Sequence, residues 1–219
     1  TYDQFVDWFA PLTKQDVQGQ DVLELGCGNG SLMRHTLDWQ PKHLCGIDLG
    51  GAVHSARASL NQSAYTNWTV EQTDLVTYQS EGFDLVYCIG VLHHMDDPFN
   101  GWKILTKCLK KNGLMFIATI NKTLKSYIFA IVGAEYVLRW LPIGTHEWDK
   151  FVKPESLIKS ASKSSLKLNR LDGVTFNPLK NSWNLSTDKS VNYISIFHKF
   201  AINISKHSTN FAIGDVIGI

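Results

Sequence analysis

The chain is poor in cysteine. Cys27, Cys45, Cys88 and Cys108 are all it carries. No two form a CxxC pair, which excludes the usual zinc and thioredoxin-like arrangements. They are read as reduced and mostly buried thiols of a cytosol-like compartment. Charge of one sign is also missing: 21 basic residues nearly cancel 20 acidic ones. That balance offers no footprint for nucleic acid and suits a small-molecule substrate or modest contact with a membrane surface. Long hydrophobic runs are absent as well. The longest, Tyr127 to Ala134, falls far short of the roughly 20 residues of a spanning helix. No signal-peptide pattern, repeat or low-complexity linker is visible. The chain opens on Thr1 rather than Met, which leaves room for an upstream segment. What is present is globular in composition, with 44% hydrophobic and 19% charged residues. A chain of 219 residues suits a single domain, 1–219, with an ordinary core.

Short apolar runs alternate with segments of helical spacing. Val22–Leu25, Leu44–Ile47, Trp68–Val70, Phe83–Ile89 and Leu114–Ile120 read as buried parallel strands. Ser31–Leu37, Ala52–Leu60 and Phe99–Leu109 read as the helices between them, with Lys111-Asn112-Gly113 closing the last one through a left-handed cap. Such alternation predicts an open α/β sheet with right-handed crossovers. Residues 121–153 break the rhythm as a helical insertion or lid, a long apolar helix followed by a loop. Pro154 then opens another helix, and strands follow near Leu166–Leu171 and Asn192–His198. Residues 201–219 show no usable pattern.

The densest signal is Glu24-Leu25-Gly26-Cys27-Gly28-Asn29-Gly30, directly after the first strand. Glycines there allow a sharp strand-to-helix turn and close approach of a ligand to bare backbone. The free N–H groups of the following helix suit an anionic carboxylate. Asp48 ends the second strand, where a carboxylate can accept hydrogen bonds from both ribose hydroxyls. Nicotinamide-binding folds share that device, but their glycine spacing is G-x-G-x-x-G, whereas here it is E-x-G-x-G-x-G. Asp74, after the third strand, could face an adenine amino group, and Ile89, ending the fourth, could line the adenine or a sulfonium. Leu49 and Leu75 stand beside the two acids. The cofactor set is therefore Glu24, Gly26, Gly28, Gly30, Asp48, Leu49, Asp74, Leu75 and Ile89.

In that order the motifs resemble the class I methyltransferases, which use S-adenosylmethionine (SAM). The resemblance implies a Rossmann-like α/β fold, with a mostly parallel central sheet, helices on both faces and a helical insertion after the fifth strand. From Gly113 onward a narrower likeness appears. Thr119-Ile120-Asn121-Lys122, Val132-Gly133-Ala134-Glu135-Tyr136, Gly144-Thr145-His146-Glu147, Lys150-Phe151-Val152-Lys153-Pro154-Glu155, Phe176-Asn177-Pro178 and Val191-Asn192-Tyr193 resemble the ubiquinone-biosynthesis O-methyltransferases. This implies methylation of a phenol or catechol hydroxyl on a polyprenylated ring, with SAM contacts on Gly26, Asp48 and Ile89. It also implies a cytoplasmic enzyme, peripheral on the inner face of a membrane. The stretch Gly90-Val91-Leu92-His93-His94 departs from that family's Glu-x-x-Glu-His, the motif implied to bind a divalent metal. Both glutamates are gone, and only His94 matches.

A phenol has a pKa of about 10, so ionising it at pH 7 costs roughly 4 kcal/mol. A base can offset that. His93 and His94, at the carboxyl edge of the fourth strand, are the candidates, with His94 favoured by the family match; the alternative is that His93 caps the loop and His94 packs against it. A divalent metal is the weaker reading, because only Asp96 and Asp97 stand beside the pair, and no metal ligand is assigned. His146, Glu147 and Tyr136, in the insertion, are candidate substrate contacts; a self-satisfied loop turn is the alternative for the first two. The stretch 124–141 reads as an interfacial helix with Tyr136 and Trp140 at headgroup level, as a wall for a polyprenyl tail, or as a plain lid, with Glu135 and Arg139 spaced to pair. SAM-dependent methylation of another small molecule, a nicotinamide-dependent oxidoreductase and a catalytically silent SAM-binding subunit are the alternative functions.

Overall fold

In the computed structural model, residues 1–177 and 180–200 are described. Five strands, β1 (Asp21–Leu25), β2 (His43–Asp48), β3 (Trp68–Gln72), β4 (Phe83–Ile89) and β5 (Leu109–Ile120), lie parallel in the order β3-β2-β1-β4-β5. Beyond β5 the sheet continues antiparallel through β8 (Asn192–Lys199), β6 (Leu166–Asn177) and β7 (Ser182–Ser186). The parallel strands read as near-continuous apolar runs because both faces are covered. Leu85 and Tyr87 of β4 pack on one side with α1 (Tyr2–Phe9), α2 (Lys14–Val17), α3 (Ser31–Leu37) and α4 (Ala52–Leu60). Val86 and Cys88 pack on the other with α5 (Pro98–Cys108) and α7 (Pro154–Lys163). Between them in the chain lies α6 (Leu124–Ser126), a single turn. Chain order reverses between β1 and β4, and the crevice outside their carboxyl ends is where open α/β sheets bind ligands.

Three local expectations are corrected. The Lys111–Gly113 helix stop is instead a bend inside β5: α5 ends at Cys108, Asn112 takes φ 63°, and the β4–β5 register shifts between Phe83 and Leu85. The left-handed tolerance of asparagine serves an irregularity in a strand rather than a helix cap. The insertion is not one long α-helix: α6 passes into an eleven-residue π-helix, Tyr127–Val137. Glu135 and Arg139 do not pair, because Arg139 lies past the helix end with φ 53° and Glu135 turns inward. α1 and β7 carry no expectation from the sequence. Pro178 and the tail 201–219 lie outside the described residues.

Helix α1 is held by aromatic packing. Phe5 and Phe9, one helical turn apart, are each 1% exposed. Phe9 stacks on Phe116 of β5 at 4.9 Å and meets Tyr87 of β4 edge-on at 5.1 Å. Truncating Phe9→Ala should cost about 3–5 kcal/mol of stability, the range for a buried phenylalanine. Urea unfolding measures it, and a loss under about 1 kcal/mol would mean that α1 is not part of the folded core.

Candidate active site

The glycine-rich turn after β1 is hooked over the end of β2. The amides of Gly26 and Cys27 both donate to the Ile47 carbonyl, at 2.8 and 3.0 Å. The Gly28 amide donates to Asp48 Oδ2 at 2.9 Å, and the Gly50 amide to Asp48 Oδ1 at 2.7 Å. Asp48 is thus the clasp between the two loops that edge the crevice, and each of its oxygens keeps a further acceptor site. Gly26 adopts φ 76°, and a Cβ there would collide with the side chain of Val91. The glycine turn and the loop after β4 therefore touch, and only glycine permits it.

Glu24 lies beneath this turn, 3% exposed, and accepts a hydrogen bond from the Tyr87 hydroxyl at 2.9 Å. Burial, opposed by that hydrogen bond and reinforced by Asp48, raises its pKa to about 8. Its carboxyl is a floor for the turn. Asp74 is exposed and caps the short turn Leu75–Thr77 through the Val76 amide at 2.9 Å. Leu75 is buried, Leu49 is 69% exposed, and Ile89 is half-buried at the end of β4. All of them lie at or just beyond the carboxyl ends of β1 to β4.

Three histidines gather beyond β4. His93 is 4% exposed and bonds Thr119 Oγ1 through Nδ1 at 2.9 Å. His94 is exposed, its ring 4.2 Å from that of His93. His146 arrives from the insertion, 5.6 Å from His93 and 5.3 Å from His94. Its Nδ1 is 2.9 Å from Oε1 of Glu135, which is 1% exposed. Burial alone would raise the Glu135 carboxyl; the Gly144 and His146 amides and the His146 ring overcome it and hold it below its usual range. Burial, then His94 and His146, push His93 down to about 3. Burial and His146 also lower His94.

A cavity of about 170 Å³ opens beside this cluster. Ile89, Gly90, His93, Thr119, Trp8 and Trp183 are among its walls. The indole Nε1 of Trp8 is buried without a hydrogen-bond partner. Of the candidate contacts, His93 and Ile89 line the cavity. His94 does not, nor does Tyr136, which is 54% exposed on the insertion, nor Glu147, which pairs with Lys150 at 2.8 Å. Trp8 and Trp183 are lining residues that sequence reasoning passed over, since they sit in α1 and β7, for which it held no expectation.

The divalent-metal motif implied by the resemblance does not fit. Gly90 and His93 stand where its carboxylates would be. Asp96 is exposed and paired with Lys150 at 2.9 Å, and Asp97 caps α5 through the amides of Phe99 and Asn100. No oxygen-rich cradle for a hard cation forms here among the described residues.

Sheet order, glycine turn and acidic clasp together define a Rossmann-like, SAM-dependent methyltransferase. A family model described as a methyltransferase domain matches residues 23–115. The ubiquinone biosynthesis O-methyltransferase of Pelagibacter ubique (strain HTCC1062) is 43% identical over 184 residues, covering 81% of this chain and 74% of that protein. The enzyme of the same name from Brucella melitensis biotype 2 (strain ATCC 23457) is 38% identical over 195 residues, covering 84% and 75%. The chain belongs to the ubiquinone biosynthesis O-methyltransferase family. Among solved structures, the magnesium protoporphyrin IX methyltransferase of Synechocystis PCC 6803 with bound SAH aligns with a TM-score of 0.66 at 19% identity, over 90% of this chain and 81% of that one. The N-methyltransferase NodS of Bradyrhizobium japonicum WM9, in complex with S-adenosyl-l-homocysteine, aligns at 0.62 and 16%, over 90% and 85%. At those identities they share the fold. The family assignment removes the nicotinamide alternative.

The depressed His93 has a consequence for stability. Between pH 6.5, the ordinary value, and about 3, the unfolded chain binds a proton at this residue that the folded chain refuses. Stability is therefore present above pH 6.5 and lost as pH falls through that window. His93→Gln should flatten this part of the profile. Urea midpoints at pH 7, 5 and 4 measure it, and parallel profiles for both proteins would contradict the assignment.

Proposed function

We propose that the chain transfers the methyl group of SAM to a phenol or catechol hydroxyl of a polyprenylated ubiquinone precursor. The observation that carries this reading is the cavity at the carboxyl ends of β4 and β5. Its volume is close to the roughly 150 Å³ that accommodates a benzene ring. It combines aromatic walls with few polar groups, the usual make-up of a small-molecule site. It also includes Ile89 and Gly90, next to the Val91 that abuts the glycine turn.

In this reading the Gly26–Gly30 turn receives the methionine part of SAM, with Glu24 as its floor. Asp48 accepts from the ribose hydroxyls, and Leu49, Asp74, Leu75 and Ile89 surround the adenine. SAM brings its own activation, so the protein's task is to align the acceptor oxygen and take its proton. That oxygen becomes far more acidic as the new C–O bond forms. In the metal-free chain, a neutral imidazole of the His93–His94–His146 cluster suffices as acceptor at that moment.

The insertion supplies a membrane-facing surface in the same proposal. Leu124, Phe129, Val137, Trp140 and Ile143 are each more than half exposed. No helix among the described residues is long and apolar enough to cross a membrane. Such a patch suits the headgroup boundary, where a substrate with a polyprenyl tail resides.

With labelled SAM and a panel of polyprenyl phenols and water-soluble catechols, the mass shift of one methyl should appear on the polyprenyl acceptors. Asp48→Ala should weaken SAM binding at least about tenfold by calorimetry, the scale of one lost charge-assisted hydrogen-bond pair. Transfer to water-soluble acceptors alone would favour another small-molecule methyltransferase, and SAM binding without any transfer would favour a silent subunit. In liposome flotation, wild-type chain should float with anionic vesicles, and a Phe129→Glu, Trp140→Glu double variant should stay in the pellet fraction. Equal flotation of both would rule out the interfacial role of the insertion.

A further inference from the structure

We propose that His93, His94 and His146 form a three-imidazole site for a zinc-class divalent cation at the edge of the acceptor cavity. One potential ligand atom from each residue lies within 4.8 Å of the other two. Three imidazoles radiating from one tetrahedral centre, with Zn–N bonds of about 2.0–2.1 Å, place their ring centroids about 5 Å apart. The observed separations are 4.2, 5.3 and 5.6 Å, with the His146 ring near-parallel to those of His93 and His94 at 30° and 25°. Turning the rings so that one nitrogen of each points to a common centre would close the set.

The rings are also anchored as metal ligands are. A coordinating histidine generally uses its second nitrogen to bond a carboxylate, a carbonyl or another polar group. Here His146 Nδ1 meets the buried Glu135 carboxylate at 2.9 Å, and His93 Nδ1 meets Thr119 Oγ1 at 2.9 Å. His94 is hydrogen-bonded to the Thr145 backbone. The opposite nitrogen of each ring is left for a ligand.

Donor chemistry selects the ion. Imidazole nitrogen suits zinc, cobalt and their neighbours, whereas magnesium and calcium demand oxygen ligands. No carboxylate among the described residues enters the set. Three protein ligands leave a fourth position open, the pattern of catalytic rather than structural zinc. Because His93 also lines the cavity, an acceptor hydroxyl would fill that position and lose its proton to solvent more readily there. This last step rests on the methyltransferase reading; the cation site itself does not.

The test uses the full chain, stripped of metal with a chelator and titrated with cobalt(II), whose visible absorption reports four-coordinate geometry. One cobalt per chain should bind with tetrahedral bands. Zinc should displace it, and magnesium in about hundredfold excess should not. His146→Ala and His94→Ala should each abolish the bands, and Glu135→Gln should weaken binding about 10–100-fold. His94 is exposed, so its variant tests the site without disturbing the core, and unchanged SAM affinity by calorimetry certifies folding in each case. Absence of tetrahedral bands in the wild type, identical titrations of wild type and His94→Ala, or displacement by magnesium would overturn the proposal. Undiminished methyl transfer by the stripped chain would overturn the catalytic use of the cation and leave the methyltransferase reading standing. Failure to bind SAM with normal cobalt binding would do the reverse.

Discussion

The structure turns on a bend of bare backbone held to the neighbouring strand by one carboxylate. Asp48 accepts from the Gly28 and Gly50 amides, while the Ile47 carbonyl, one residue earlier, accepts from Gly26 and Cys27. These bonds fix where β1 ends and α3 begins. They also fix how closely the loop after β4 can approach, because Val91 occupies the space that a side chain on Gly26 would need. A charged acceptor bonded to backbone amides is stronger than a neutral one, so the clasp resists the opening that ligand exchange would otherwise invite. The loop that carries His93 and His94 starts from that contact.

A second buried carboxylate does the same for the insertion. Glu135 sits on a π-helix, and its wide turn carries mostly apolar side chains toward solvent. The carboxylate points the other way and gathers the Gly144 amide, the His146 amide and the His146 ring. A buried charge survives only when it is paired and hydrogen-bonded, and here the satisfaction of that charge folds the loop back onto the core. The insertion therefore has two faces with different physics. The outer one is apolar and exposed, and the inner one delivers an imidazole beside His93 and His94.

Much of the fold was legible from periodicity alone. Ser31–Leu37 and Ala52–Leu60 have the bounds that helical spacing indicates, and Phe83–Ile89 those of a buried apolar run. The misses have different causes. Phe5 and Phe9 of α1 stand four apart, a helical spacing that the sequence does carry, whereas the five-residue β7 is too short to show a period and is held by its pairing with β6. The Lys111-Asn112-Gly113 stretch has the residues of a helix cap, yet the strand pairing of β5 with β4 and β8 outweighed that local preference. The glycine turn and its clasp were legible because their glycines and acids are contiguous with strand ends. The cavity beyond β4 was not, because Trp8 and Trp183 are 175 positions apart.

The order of glycines and acids along the first five strands determined by itself the class of fold and the donor it handles. A turn of bare backbone after one strand and an acid after the next can be read locally, since each is set by its own strand. Which imidazoles meet was decided by tertiary structure alone. His93 and His94 are neighbours in the chain, but His146 lies 52 residues beyond His94. It reaches them only because the buried Glu135 must find donors and the loop that carries them folds inward.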